Sequence, residues 1–245
     1  MSVHVVTYCT NTTFLLALRL SLSKVNVPLT LLPINHAHRQ PHWQKIYALS
    51  NLVQHFPPND LILYADAYDT IVQQNGPTIY NSYLNYVRAR NGNTDRALIF
   101  NGIGTKCFPY EIQSKAWPSN LLWHLDNTRF TGTDACNKFK AKFPGENYAL
   151  NSGLILGRAY MLQRFMGRVW ELRKKPFYTD QSTVIAVAHV FSDLYVDSNS
   201  TLFKRPWRRS FCTRWDKFPY GSALAFHLTG LPSLRSQCRK FALRQ

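Results

Sequence analysis

Carboxylates are scarce in this chain. Asp and Glu together number 13 against 29 Lys and Arg, for a formal charge of +16. A surface this basic attracts polyanions: nucleic acid, phosphates, acidic glycans or anionic lipid heads. The imbalance carries no information about fold, but it makes each of the few acids a candidate for chemistry. Cysteines are also few, with an odd count and wide spacing: Cys9, Cys107, Cys136, Cys212 and Cys238. No C-x-x-C pair marks a zinc site, and no even framework marks a disulfide-stapled secreted mini-protein. Mostly free thiols in a reducing compartment are the expectation. No apolar run approaches the roughly 18 residues of a membrane span. The apolar stretch from Phe14 to Leu18 is short and closed by Arg19, so it reads as part of an amphipathic helix, not a signal core. A cytoplasmic protein with no membrane span is therefore expected, and the sequons at Asn11 and Asn199 are read as chance. A G-x-x-x-x-G-K-[ST] phosphate loop is missing, as is a G-x-S-x-G nucleophile elbow. Those absences leave a nucleotidyltransferase or hydrolase without support.

What is present suits one globular domain. The 245 residues are 45% hydrophobic, enough to bury a core without staples. Internal repeats, low-complexity tracts and clear linkers are absent, so residues 1–245 are read as a single domain. β-Branched residues predict a first strand over 3–9, and helical spacing predicts a helix over 12–24. A short apolar run covers 28–34. A helix over 41–56 is closed by Pro57-Pro58-Asn59-Asp60. Leu61 to Asp69 (LILYADAYD) is an apolar strand running into acids. A helix over 78–90 and a strand over 97–103 follow. Residues 104–147 read as loop-rich, 148–156 as strand, and 159–174 and 179–191 as helices. The alternation in the first half predicts an α/β fold with a mainly parallel sheet and helices on both faces. Ligands in such sheets sit at the carboxyl ends of the strands, which directs attention to Thr7 and to Asp66 through Asp69.

Two carboxylates at the open end of a buried strand can share one hard cation, Mg²⁺ or Mn²⁺, which would also hold a nucleotide pyrophosphate. By itself D-x-x-D is a weak signal, because Asp at strand ends is common as a turn former or helix cap. Its companions matter more. In chain order they are Gln44-Lys45 on the preceding helix, Cys107-Phe108-Pro109, Leu150-Asn151-Ser152-Gly153, Asp180-Gln181 opening a helix, and Phe226-His227-Leu228-Thr229-Gly230.

This ordered set resembles the glycosyltransferase domain of the procollagen lysyl hydroxylases. Asp66-Ala67-Tyr68-Asp69 is similar to that family's D-x-Y-D segment, Leu150 to Gly153 to its L-N-S-G, Asp180-Gln181 to its D-D-Q, and His227 with Gly230 to its H-x-x-G. The resemblance spans residues 3–235. It implies a GT-A (Rossmann-like) fold, with a nucleotide-binding half over residues 1–105 and an acceptor-binding half over 106–245. It also implies transfer of a hexose, glucose, from a UDP-sugar to a hydroxyl acceptor, with Mn²⁺ (or Mg²⁺) and retention of configuration. Carried over, Asp66, Asp69 and His227 become the metal ligands. Tyr68 would stack on the uracil ring, and Thr7 would lie near the nucleotide. Lys45 would contact the nucleotide or a neighbouring acid, while Ser152 and Gly230 would line the donor through their motifs. Asn151 and Asp180 would sit by the donor sugar and acceptor, with Gln181 supporting that pocket. Two departures bear on the acceptor. Thr179 replaces the first acid of D-D-Q, and Gly102 to Lys106 is glycine-rich and basic where the family tends to carry an acid.

Residues 204–217, KRPWRRSFCTRWDK, hold six basic side chains with Trp207, Phe211 and Trp215 interleaved. Such a segment can grip phosphates and stack on bases or sugar rings. It keeps open a nucleic-acid-binding protein, or a glucosyltransferase acting on hydroxylated DNA bases, which would need the base flipped out. A glycan, a glycoprotein or DNA are thus the acceptors under consideration.

Overall fold

The computed structural model describes residues 2–9, 12–33, 41–104, 122–174, 180–204 and 223–227. In chain order its elements are β1 (Val3–Thr7), α1 (Leu16–Lys24), β2 (Leu29–Leu31), α2 (Pro41–Leu49), β3 (Leu61–Ala65), β4 (Thr70–Val72) and α3 (Gly76–Arg88). There follow β5 (Leu98–Gly102), β6 (Leu122–Leu125), β7 (Thr128–Thr131), α4 (Gly132–Lys142), β8 (Leu150–Arg158), α5 (Ala159–Glu171) and α6 (Asp180–Val190). The last are β9 (Leu194–Asp197), β10 (Phe203–Lys204) and β11 (Ala225–His227).

Six strands form the main sheet in the order β2-β1-β3-β8-β5-β9. All run parallel except β8, which is inserted antiparallel between β3 and β5. Strand β3 is covered on both faces, which is why LILYA is apolar without alternation. Ile62 and Tyr64 pack toward α2, α5 and α6, whereas Leu61, Leu63 and Ala65 pack toward α1 and α3. Helix α5 buries Met161, Leu162, Phe165, Met166 and Val169, the three-and-four spacing of one helical face. Helix α6 is buried from Ser182 to His189, and the apolar run Val184 to Ala188 lies within that stretch.

A smaller three-stranded sheet, β10-β11-β4, lies on the α1/α3 side, where Phe203, Leu224 and Ala225 join that core. Asp197 ends β9 and fixes the turn into it. Its buried carboxylate accepts the backbone N–H groups of Thr201 (2.9 Å), Leu202 (2.7 Å) and Phe203 (2.7 Å). Burial pushes its pKa above the ordinary value, and the three N–H bonds only partly offset that.

One expectation needs correction. The segment expected to be loop-rich contains the β6–β7 hairpin and α4. Thr131 caps α4 in a reciprocal capping box with Asp134, a T-x-x-D signal of the kind that starts helices. Cys136 on α4 is disulfide-bonded, and the buried Cys9 is outside any disulfide. No helix among the described residues is long and apolar enough to cross a membrane.

Asp60, just before β3, clamps the start of the chain. It accepts the Ser2 backbone N–H at 2.9 Å and pairs with His4 Nε2 at 2.9 Å. Burial alone would raise its pKa, but Ser2 and His4 outweigh burial and hold it below the ordinary value. A depressed folded pKa means stabilisation that is present above the unfolded value and lost as the pH falls through the folded one. Asp60→Asn is expected to flatten stability against pH in that acid window, read from urea midpoints between about pH 2 and 5. An unchanged acid slope would refute this role.

Candidate metal centre

Strand β3 leaves the main sheet at Ala65, and the chain enters the smaller sheet at Thr70. Asp66 and Asp69 lie on the four-residue crossing between them. Strand β11 pairs antiparallel with β4 in a register that sets His227 opposite Thr70. That register delivers a buried imidazole to the two acids. His227 Nε2 lies 3.3 Å from Asp69 Oδ1 and 4.0 Å from Asp66 Oδ2. One ligand atom from each of the three lies within 4.8 Å of the others. Donors bound to one ion at about 2.0–2.1 Å and at right angles are about 3 Å apart. The observed spacing would close toward that value around an ion, and two carboxylates with an imidazole suit a divalent ion such as Mn²⁺ or Mg²⁺.

Three neighbours shape this cluster. Tyr64, two residues before Asp66 and on the same strand face, donates its hydroxyl to Asp66 Oδ1 at 2.7 Å. Burial and the adjacent Asp66 push the Tyr64 pKa far above its ordinary value, so it remains a donor. The carboxamide of buried Asn101, on β5, lies 3.0 Å from His227 Nδ1. Gly153, on β8, accepts the Asp66 backbone N–H at 2.8 Å. A Cβ on Gly153 would come within 2.1 Å of His227 Cε1 and 2.8 Å of Asp66 Oδ2. The cluster therefore rests directly on glycine backbone. An irregularity allows this: Phe100 pairs with Ile155 but Asn101 pairs with Asn151, so residues 152–154 are skipped along β5.

Lys45 joins this cluster to Asp180. Its Nζ lies 3.7 Å from Asp66 Oδ1, 3.5 Å from Asp180 Oδ2 and 3.3 Å from Ser152 Oγ. Burial alone would lower its pKa, but Asp66 and Asp180 outweigh burial and raise it, so the ammonium stays charged. Gln181 is engaged with β8. Its Oε1 accepts Ser152 N–H (3.2 Å) and Ser152 Oγ–H (3.0 Å), and its Nε2 donates to the Leu150 carbonyl at 2.7 Å. Asn151 Oδ1 accepts the Gly153 N–H at 2.8 Å, helping to shape the irregular stretch. Among the described residues, Lys45 is the cation that contacts both Asp66 and Asp180.

The other expected residues divide. Thr7 is fully buried and donates its hydroxyl to the Ala65 carbonyl at 2.5 Å, so its side chain ties β1 to β3. Its neighbour Tyr8 is hydrogen-bonded to Gln44. Tyr68, by contrast, is 41% exposed, unusual for a large ring among the described residues. Gly230, Cys107 to Pro109, Thr179 and the basic segment from residue 205 onward lie outside the described residues. Sequence reasoning missed Tyr64 and Asn101. The i−2 spacing of Tyr64 from Asp66 on a strand was a usable signal. Asn101 had none, because only the β5–β8 irregularity brings it to His227.

No family model matches the chain, and no curated protein matches it in sequence. Solved structures do match. A glycosyltransferase involved in the glycosylation of the major capsid of PBCV-1 superposes with a TM-score of 0.55 at 12% identity, covering 99% of this chain and 100% of that one. The galactosyltransferase LgtC, in complex with donor and acceptor sugar analogs, gives 0.50 at 14% identity, over 98% of this chain and 95% of LgtC. This is a GT-A-type fold. The likeness is to GT-A enzymes broadly and does not single out the procollagen lysyl hydroxylase domain. Within the GT-A fold of this chain, the acid–histidine cluster occupies the carboxyl end of β3, where open α/β sheets place their ligands.

Proposed function

We propose that this protein is a metal-dependent glycosyltransferase that moves a hexose from a UDP-sugar to a hydroxyl acceptor. The observation that carries the reading is the convergence of Asp66, Asp69 and His227 at a strand end of a GT-A-type fold. Glucose as the hexose and retention of configuration rest on the resemblance of the ordered motifs to the procollagen lysyl hydroxylase domain.

Each residue then has a physical task. Asp66, Asp69 and His227 would hold Mn²⁺ or Mg²⁺, which when bound neutralises the pyrophosphate and stabilises departing UDP. Tyr64 fixes the Asp66 carboxylate by donating to one of its oxygens, leaving the other facing His227. Lys45 holds Asp66 and Asp180 at a set separation. Asp180, mostly buried at the start of α6, would face the donor sugar, where its negative charge stabilises positive charge developing at the anomeric carbon. Tyr68 offers an exposed ring for the uracil base. Gln181 and Asn151 hold β8 in the irregular path that puts Gly153 against His227 and Asp66. The acceptor is a glycan or glycoprotein hydroxyl, and the +16 charge favours an anionic one.

The test is UDP release from a panel of UDP-sugars, with Mn²⁺ or with EDTA, by the wild type and Asp69→Ala. Mn²⁺-dependent release from one donor is expected, falling about 100-fold or more in the variant. Failure to turn over any UDP-sugar, together with no Mn²⁺-dependent UDP binding, would refute the assignment.

A further inference from the structure

A histidine binds a metal through a ring nitrogen that carries no proton, so in the neutral ring the other nitrogen must carry it and needs an acceptor. In this protein the nitrogen facing the acids is Nε2, 3.3 Å from Asp69. The proton of the ion-bound form therefore belongs on Nδ1. The group there is the Asn101 carboxamide, 3.0 Å away, and both side chains are 2% exposed. As placed, the carboxamide nitrogen faces Nδ1. A half-turn about the last side-chain torsion exchanges nitrogen for oxygen with little change in shape. Asparagine can therefore donate to a bare Nδ1 or accept from a protonated one.

We infer that Asn101 is the positioning residue of the metal centre: its Oδ1 accepts the Nδ1 proton of His227 and holds the Nε2 lone pair toward the ion. The surrounding structure is built to put it there. Regular pairing of β5 with β8 would not skip residues 152–154, and the irregularity begins between Phe100 and Asn101. The same departure places Asn101 against His227 and Gly153 against both His227 and Asp66. Asn101 thus links β5 to β11, two strands of different sheets, through the imidazole. An apolar residue of similar size would remove this acceptor from the buried Nδ1. It would favour the tautomer with its proton on Nε2, which cannot bind the ion.

The inference rests on the metal reading above, and its test separates the two. Mn²⁺ affinity is measured by electron paramagnetic resonance on wild type, Asn101→Leu and Asn101→Asp, without any sugar donor. The leucine variant is expected to lose about 10- to 100-fold in affinity. The aspartate variant, which retains an acceptor at Nδ1, is expected to restore binding. A second readout needs no variant: ¹⁵N chemical shifts of His227 in the wild type with Mg²⁺ should place the proton on Nδ1. Wild-type affinity in Asn101→Leu, or a Mg²⁺-bound His227 with its proton on Nε2, would overturn the inference while leaving the metal site standing. No Mn²⁺ binding by the wild type would overturn the metal reading and this inference together.

Discussion

Gly153→Ala is expected to destroy the metal centre while leaving the fold in place. The added Cβ would fall 2.1 Å from His227 Cε1 and 2.4 Å from Nε2, with Asp66 Oδ2 at 2.8 Å. None of these neighbours is free to retreat. His227 is held by Asn101 and by the register of β11 on β4, and Asp66 is held by Tyr64 and by its own N–H to the Gly153 carbonyl. Relief must come from displacing the imidazole, which removes a ligand, or from shifting β8. Overpacking of this kind costs about 1–3 kcal/mol, or roughly 2–12 °C in melting temperature for a chain of this size. The larger consequence is loss of measurable Mn²⁺ binding in a calorimetric titration. Gly167→Ala is the control. Gly167 lies mid-helix in α5 with nothing within 4 Å of its added Cβ, so alanine there should stabilise by about 0.5–1 kcal/mol. Wild-type Mn²⁺ affinity in Gly153→Ala would show that the cluster does not rest on this backbone.

Lys45→Met is expected to make stability depend on the ion. Removing the ammonium leaves Asp66 and Asp180 mostly buried without their shared cation. Deleting one partner of a buried ion pair costs about 3–5 kcal/mol, so a fall of roughly 6–20 °C in melting temperature is expected in EDTA. A divalent ion at Asp66 and Asp69 replaces part of the missing charge. Saturating Mn²⁺ should therefore raise the melting temperature of the variant by more than it raises that of the wild type. Equal melting temperatures in EDTA would mean that Lys45 is a surface-like charge with no structural task. An equal response of both proteins to Mn²⁺ would mean that the lysine and the ion do not share the acids.

The amino-acid sequence determined the elements and most of the chemistry. Period-two and continuous apolar runs located β1, β3, β5 and β8, and helical spacing located α1, α2, α3, α5 and α6, because these patterns record burial within a few residues of chain. Pro57-Pro58 marked the entry to β3, and the scarcity of acids drew attention to Asp66, Asp69 and Asp180. The alternation of strand and helix indicated the α/β class. The loop-rich reading of 104–147 failed at α4, since glycine and tryptophan outweighed the Thr131–Asp134 capping signal. Tertiary structure decided what no local pattern encodes. His227 lies more than 150 residues from Asp69, and the β11–β4 register brings them together. Tyr68 could be recognised as exposed, and Thr7 as sealed within the sheet, only once the layers were in place. Asn101 and Gly153 acquired their positions from an irregularity in the pairing of β5 with β8. Strand register is set by side chains packing across a sheet between segments distant in sequence, so the partners of the metal centre are a property of the assembled sheet and not of any one segment.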